Sequence, residues 1–133
     1  MSPFRFRPAA RRLALAAALL AAAGCGRGKT TQDWVAQMKD SDSAQRLRAV
    51  KAVAEGRTEP GLVVPALVEA LKDQNAFVRR DAAQALMKIG PDARPAVPAI
   101  IATLRDRNRS VRRAAAEALK TVDPEAAVRA KVR

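Results

Sequence analysis

Chemistry needs reactive side chains at workable spacing, and this chain of 133 residues offers few. It has no histidine, so the commonest metal ligand and the usual general base near pH 7 are both missing. Its one cysteine, Cys25, cannot form an internal disulfide. Carboxylates do recur at a fixed spacing: Asp40, Asp73 and Asp106 stand 33 residues apart. Each precedes an arginine by six positions, namely Arg46, Arg79 and Arg112. A dense basic run, Arg105, Arg107, Arg109, Arg112 and Arg113, ends the row, with Arg79 and Arg80 one period earlier. Such residues make ion pairs and recognise anions. No Gly-rich phosphate loop follows a strand, because no strand is evident. The chain reads as a non-enzyme with no catalytic residue, no cofactor and no metal site.

The spacing of these charges follows a repeat of the whole chain. Val64-Pro65-Ala66-Leu67-Val68-Glu69-Ala70-Leu71-Lys72-Asp73 aligns with Val97-Pro98-Ala99-Ile100-Ile101-Ala102-Thr103-Leu104-Arg105-Asp106 at an offset of 33. Val78-Arg79-Arg80-Asp81-Ala82-Ala83-Gln84-Ala85-Leu86 aligns with Val111-Arg112-Arg113-Ala114-Ala115-Ala116-Glu117-Ala118-Leu119 at the same offset. Arg46, Ala49, Ala52 and Val53 fall one period before Arg79, Ala82, Ala85 and Leu86. A fixed period of this length is the mark of a stacked repeat architecture. Within a repeat, Val78, Ala82, Ala85, Leu86 and Ile89 share one helical face, and Val97, Ile100, Ile101 and Leu104 share another.

Punctuation supports two helices per repeat. Asp42, Asn75 and Asn108 stand where N-caps are needed. Gly90-Pro91 is a helix stop, and Pro65 and Pro98 suit a first helical turn. Helices are predicted near 31–39, 43–55, 62–72, 76–89, 95–105, 109–122 and 124–131. The fold class is therefore all-α, a short alpha-alpha solenoid of helix pairs with a period of 33 residues.

The stretch Asp73-x-x-x-x-Val78-Arg79-x-x-Ala82-Ala83-x-Ala85-Leu86-x-x-Ile89-Gly90, repeated from Asp106 to Leu119, resembles the HEAT-repeat family. It resembles in particular the bacterial PBS-lyase-like branch, the bilin-lyase HEAT-like repeats. The resemblance covers about residues 31–133. It implies that Asp40, Asp73, Asp106, Arg46, Arg79 and Arg112 form a structural ladder, tying turns to helices and one repeat to the next. The other reading of that row is a line of charges for a ligand. Gln45 replaces the valine of the other repeats and Arg57 replaces the glycine at Gly90. These departures suit terminal repeats, which need polar outer faces. HEAT-like enzymes with a di-iron centre rely on His–Glu pairs, which a histidine-free chain cannot supply.

The N-terminus carries an address. Residues 1–12 hold Arg5, Arg7, Arg11 and Arg12 and no acid, and residues 13–23 are an unbroken apolar run. At about 1.5 Å per residue that run covers roughly 17 Å, short of a bilayer core. This is the pattern of a secretory signal peptide. Leu20-Ala21-Ala22-Ala23-Gly24-Cys25 resembles the bacterial lipobox, in which the cysteine is acylated and becomes the first mature residue. Ala22 departs from the leucine commoner there. An ordinary signal peptide with a coincidental cysteine, or a structural thiol, is the other reading. Residues 1–24 are expected to be a lipoprotein signal peptide, 25–30 a lipidated tether and 31–133 the repeat domain. Removing the leader's four arginines leaves +8 of the formal +12 charge.

The arginine run has three readings: a solvated edge with no partner, a docking edge for an acidic protein or anionic lipid, or a nucleic-acid contact. The candidate partner edge comprises Arg80, Arg105, Arg107, Arg109 and Arg113. Stacking aromatics for single-stranded nucleic acid are lacking, since Trp34 and Phe77 read as core or cap residues. No nucleic acid is expected. The broad face for a partner is expected from Ala66, Glu69, Ala70, Ala99, Ala102 and Thr103.

The resulting expectation is a lipid-anchored protein of the bacterial cell envelope, facing the periplasm or exterior. Its solenoid would serve as a non-catalytic scaffold for an unidentified protein partner. The alternatives are an accessory subunit of a bilin-lyase-like modifying enzyme, or a basic module on anionic membrane surfaces. A short solenoid also leaves self-association open.

Overall fold

A computed structural model describes residues 28–133; the expected signal segment and Cys25 lie outside the described residues. The elements run in order as α1 (Thr31–Gln37), α2 (Ser43–Glu55), α3 (Pro60–Ala70), α4 (Ala76–Ile89), a 3-10 segment (Gly90–Ala96), α5 (Val97–Thr103), α6 (Arg109–Val122) and α7 (Pro124–Arg129). No strand occurs among the described residues. The fold is an all-α solenoid.

Two layers build it. Helices α2, α4 and α6 stack directly, and α4 lies along α6 in the most extensive helix pairing among the described residues. Helices α1, α3 and α5 form the other layer. There α3 and α5 scarcely meet, because the 3-10 segment packs against α3, α4 and α6 instead. One layer is closed and the other spread, so the stack curves toward α2, α4 and α6.

The core repeats with the sequence. Ala49, Ala82 and Ala115 are fully buried at equivalent positions, as are Leu86 and Leu119. Alanine at these points lets helix backbones approach closely. Val50, Val63, Val78 and Val111 are buried, as are Leu67 and Ile100. Burying each Val, Leu or Ile contributes about 1.5–3 kcal/mol. Ile101, assigned by spacing to the buried face of α5, is instead 39% exposed. The spread between α3 and α5 leaves that side uncovered.

Helix starts follow the expected chemistry. The side chains of Asp42, Asn75 and Asn108 accept from the backbone N–H of Ala44, Phe77 and Ser110 at 2.9, 2.8 and 2.9 Å. Thr30 adds a capping box: its hydroxyl accepts from Asp33 N–H while the Asp33 carboxylate accepts from Thr30 N–H. The Thr-x-x-Asp spacing is the signal for it. Lys29 stands with its ammonium 4.6 Å from the Trp34 ring and donates to the Gln37 side chain. Residues 29 and 30, expected as tether, therefore pack on α1.

Prolines cause two departures from the expected boundaries. Helix α3 starts at Pro60, so Pro65 lies inside the helix rather than in its first turn. Pro65 and Gly61 are both exposed, leaving the Gly61 carbonyl within reach of water. Pro91 and Pro95 hold residues 90–96 in 3-10 form, which delays α5 to Val97. Gly90 begins that segment at φ +74°, ψ −141°, a backbone state that side chains disfavour. One period earlier stands Arg57, which has no positive φ, and Gly56 before it ends α2 at φ −83°.

Candidate functional site

The recurring charges meet at the turns. Arg46 Nε and Nη2 donate to the two oxygens of Asp73 at 2.6 and 3.0 Å. Arg79 Nε and Nη2 grip Asp106 in the same way, at 2.8 and 3.0 Å. Each arginine also turns Nη1 onto two carbonyls of the turn before its own helix, Asp40 and Ser41 for Arg46, Asp73 and Gln74 for Arg79. Asp40, Asp73 and Asp106 each accept the backbone N–H two residues on, at 2.8 Å. Arg112 keeps its carbonyl bonds, to Asp106 and Arg107, with no carboxylate partner among the described residues.

The pairs shape the ionisation of their members. Burial alone would raise the Asp73 carboxyl, but hydrogen bonds from Arg46 and Asn75 outweigh it and hold it below its ordinary value. For Asp106 the Arg79 hydrogen bond is the largest influence, and it too lowers the carboxyl against burial. The Asp73 hydrogen bond in turn raises Arg46. Buried side-chain polar atoms are all hydrogen-bonded among the described residues. These charges are spent within the fold, which leaves them little to offer a ligand.

The basic residues divide between faces. Arg105 stands in the gap between α3 and α5, beside Lys72 and Asp106. Arg107 and Arg109 are exposed on the turn into α6. Arg80 and Arg113 line a groove of about 660 Å³ between α4 and α6, with Gln84, Met87, Ser110 and Glu117. A second hollow of about 450 Å³ lies by Trp34, Leu47 and Lys51. Both hollows belong to the α2–α4–α6 side. Of the residues expected to form the partner face on the other layer, Ala70 and Thr103 are buried and Ala66 and Ala99 are half-buried. Glu69 and Ala102 are exposed, so only part of that expected face is open to solvent.

Two features of the curved face escaped the sequence reading. Phe77, taken as core or cap, is 59% exposed, with the Arg80 guanidinium 5.3 Å from its ring. Being second in α4 directs it outward beside Arg80, at the same face as Ser110 one period later. Asp81 is a buried carboxylate, held by Arg80 at 2.7 Å and within 4.0 Å of Lys51 on α2. Its only signal is a break in pattern, since Arg48 and Ala114 occupy its equivalent positions. Trp34 is half-buried against the core at the open end of the stack.

Among the described residues, no group of His, Cys, Asp and Glu could hold a metal ion, and no helix is long and apolar enough to cross a membrane. The face has the chemistry of a recognition surface: an aromatic ring, paired guanidiniums and a floor of mixed polarity.

Known proteins share this architecture. The chain superimposes on the complex of CpcE and CpcF of phycocyanin lyase from Nostoc sp. PCC7120 with a TM-score of 0.70 and 32% identity. That match covers 81% of this chain and 42% of the other. An engineered protein matches with a TM-score of 0.63 and 22% identity over 78% of this chain and 52% of its own, a likeness of fold alone. The chain thus spans about half the length of these structures or less. No curated protein matches it. The family described as HEAT repeats matches residues 31–120. With the 33-residue period, the stacked helix pairs and this match in hand, the chain belongs to the HEAT-repeat family.

Proposed function

We propose that the chain is a non-catalytic protein-interaction scaffold, held in the bacterial envelope through an acylated Cys25. The observation that carries the binding role is the α2–α4–α6 face, with an open groove between α4 and α6 and an exposed Phe77 against Arg80 of its lining. Aromatic and arginine side chains are the residue types that dominate binding energy at protein interfaces. The lack of any histidine supports a binding role over a catalytic one. The anchor rests on the lipobox-like Ala23-Gly24-Cys25 after an apolar run. Two or more acyl chains anchor firmly, at about 0.8 kcal/mol per buried CH₂.

Two experiments test this. A photo-crosslinker at Gln84, exposed in the groove, should trap one reproducible protein in native membranes; no product there removes the scaffold reading. Fractionation of the native protein and Cys25→Ser should place only the native form in membranes. Identical soluble behaviour of both removes the anchor.

A second reading has support from one observation. The solved structure sharing 32% identity is a complex of two lyase subunits. On that reading this chain is an accessory subunit of a modifying enzyme. Co-purification with a larger HEAT-type enzyme, and loss of that enzyme's activity without this chain, would favour it over a free-standing scaffold.

A further inference from the structure

The groove between α4 and α6 has a direction, and its charges point to one kind of occupant. Arg80 and Arg113 are the same position in consecutive repeats, so stacking sets them across the groove from each other. Arg80 is held in place by Asp81 and lies over Phe77. Arg113 is exposed and has no carboxylate partner among the described residues. Arg109 and the first turns of α4 and α6 lie at the same end, adding positive potential. Glu117 sits farther along α6 and is already engaged by Lys120 at 3.3 Å. The apolar lining is Met87 and Ala114, with the exposed Phe77 ring beside Arg80.

We propose that this groove receives an acidic segment of a partner protein. Its carboxylates lie between Arg80 and Arg113, and its apolar side chain packs against Phe77 and Met87. The proposal rests on the scaffold reading and names the chemistry of its partner. A flat lipid surface meets the exposed turn arginines Arg107 and Arg109 first and does not reach Met87 in the hollow. A peptide segment does. The first repeat tells the same story by contrast, because Leu47 stands at the position of Arg80 and Arg113. The arginine pair is thus confined to the α4–α6 groove, while the α2 hollow sets Leu47 among Arg48, Lys51 and Glu55.

The test uses the full chain and a fluorescein-labelled amphipathic peptide with glutamates on one face and leucines on the other. A second peptide carries glutamine for every glutamate. The glutamate peptide should bind, and Arg113→Glu should weaken it by about tenfold or more, as a lost central charge pair does. Phe77→Ala should weaken it by about tenfold. Arg105→Glu removes an equal charge from the opposite layer and should leave binding within about twofold. Arg105, Arg113 and Phe77 are exposed, so these variants keep the fold, which circular dichroism verifies. Equal binding of the glutamine peptide, or equal losses from Arg105→Glu and Arg113→Glu, overturns the proposal. So does binding to anionic vesicles that depends on Arg113 while peptide binding does not. The Gln84 crosslink separates the two readings: a partner still trapped by Arg113→Glu removes the groove chemistry and keeps the scaffold.

Discussion

The guanidinium of Arg79 closes the junction between two repeats by gripping both oxygens of Asp106, 27 residues away, at 2.8 and 3.0 Å. Both side chains are nearly buried, at 6% and 11% exposure. Removing Arg79 leaves the Asp106 carboxylate with only the Asn108 N–H and the solvent of the α3–α5 gap, at a cost of up to about 3–5 kcal/mol. Arg79→Ala should therefore lose that much stability in urea unfolding. Arg79→Lys should recover part of it, since a lysine cannot form the fork. Arg112→Ala should lose only about 1–2 kcal/mol, because Arg112 bonds to carbonyls alone. Equal losses at positions 79 and 112 would show that the carboxylate adds nothing.

Acid should unpick the same junctions. The folded-state carboxyls of Asp73 and Asp106 lie below the ordinary 3.8. Lowered carboxyls contribute stability that is complete above the unfolded value and is lost as pH falls through the folded value. The urea midpoint should hold steady near neutral pH and drop between about pH 5 and pH 2. Asp73→Asn with Asp106→Asn keeps the shapes and deletes the charges. That double variant should be less stable at pH 7 and show a shallower drop. An unchanged slope would place the acid sensitivity elsewhere.

Much of this was written in the chain, and what was hidden has physical causes. The 33-residue offset showed that Asp73 and Asp106 recur with their arginines, and the HEAT-repeat resemblance implied that they tie one repeat to the next. The caps Asp42, Asn75 and Asn108 were legible because N-capping is local chemistry. The curvature was not, since it depends on how the 3-10 segment wedges between α3 and α5. The expected partner face therefore included Ala70 and Thr103, which packing buries. Phe77 was misread because composition favours burial of an aromatic ring, while its place in the first turn of α4 decides otherwise. Arg80 and Arg113 could be named from the sequence, but the groove they line could not.

Gly90 supplies a test of backbone strain separate from packing. A Cβ built there meets nothing within 4 Å, so any cost is conformational. At φ +74° and ψ −141° that cost is about 1–3 kcal/mol. Gly90→Ala should lower stability by this amount and leave the helical circular dichroism unchanged. Gly56→Ala should cost less, because φ there is −83°, although its Cβ would lie 3.2 Å from the Ala52 carbonyl. If Gly56→Ala proved the costlier of the two, crowding rather than φ would govern these turns.

Trp34 can report whether the stack opens from its end. It is the chain's one tryptophan, on α1, half-buried beneath Lys29. Among the described residues, helix α1 packs chiefly against α2 and α3. Interior helices such as α4 are covered on both sides, and in a stacked repeat stability is a sum over neighbours. With fewer interfaces to lose than an interior helix such as α4, α1 opens at lower free energy than the middle. Tryptophan fluorescence should change at lower urea concentration than far-ultraviolet circular dichroism, which reports all helices. Leu86→Ala, a fully buried position in α4, should cost about 2–5 kcal/mol and draw the two transitions together. Coincident transitions in the unaltered chain would mean that α1 is bound as tightly as the centre, and that the N-terminal end is a true cap.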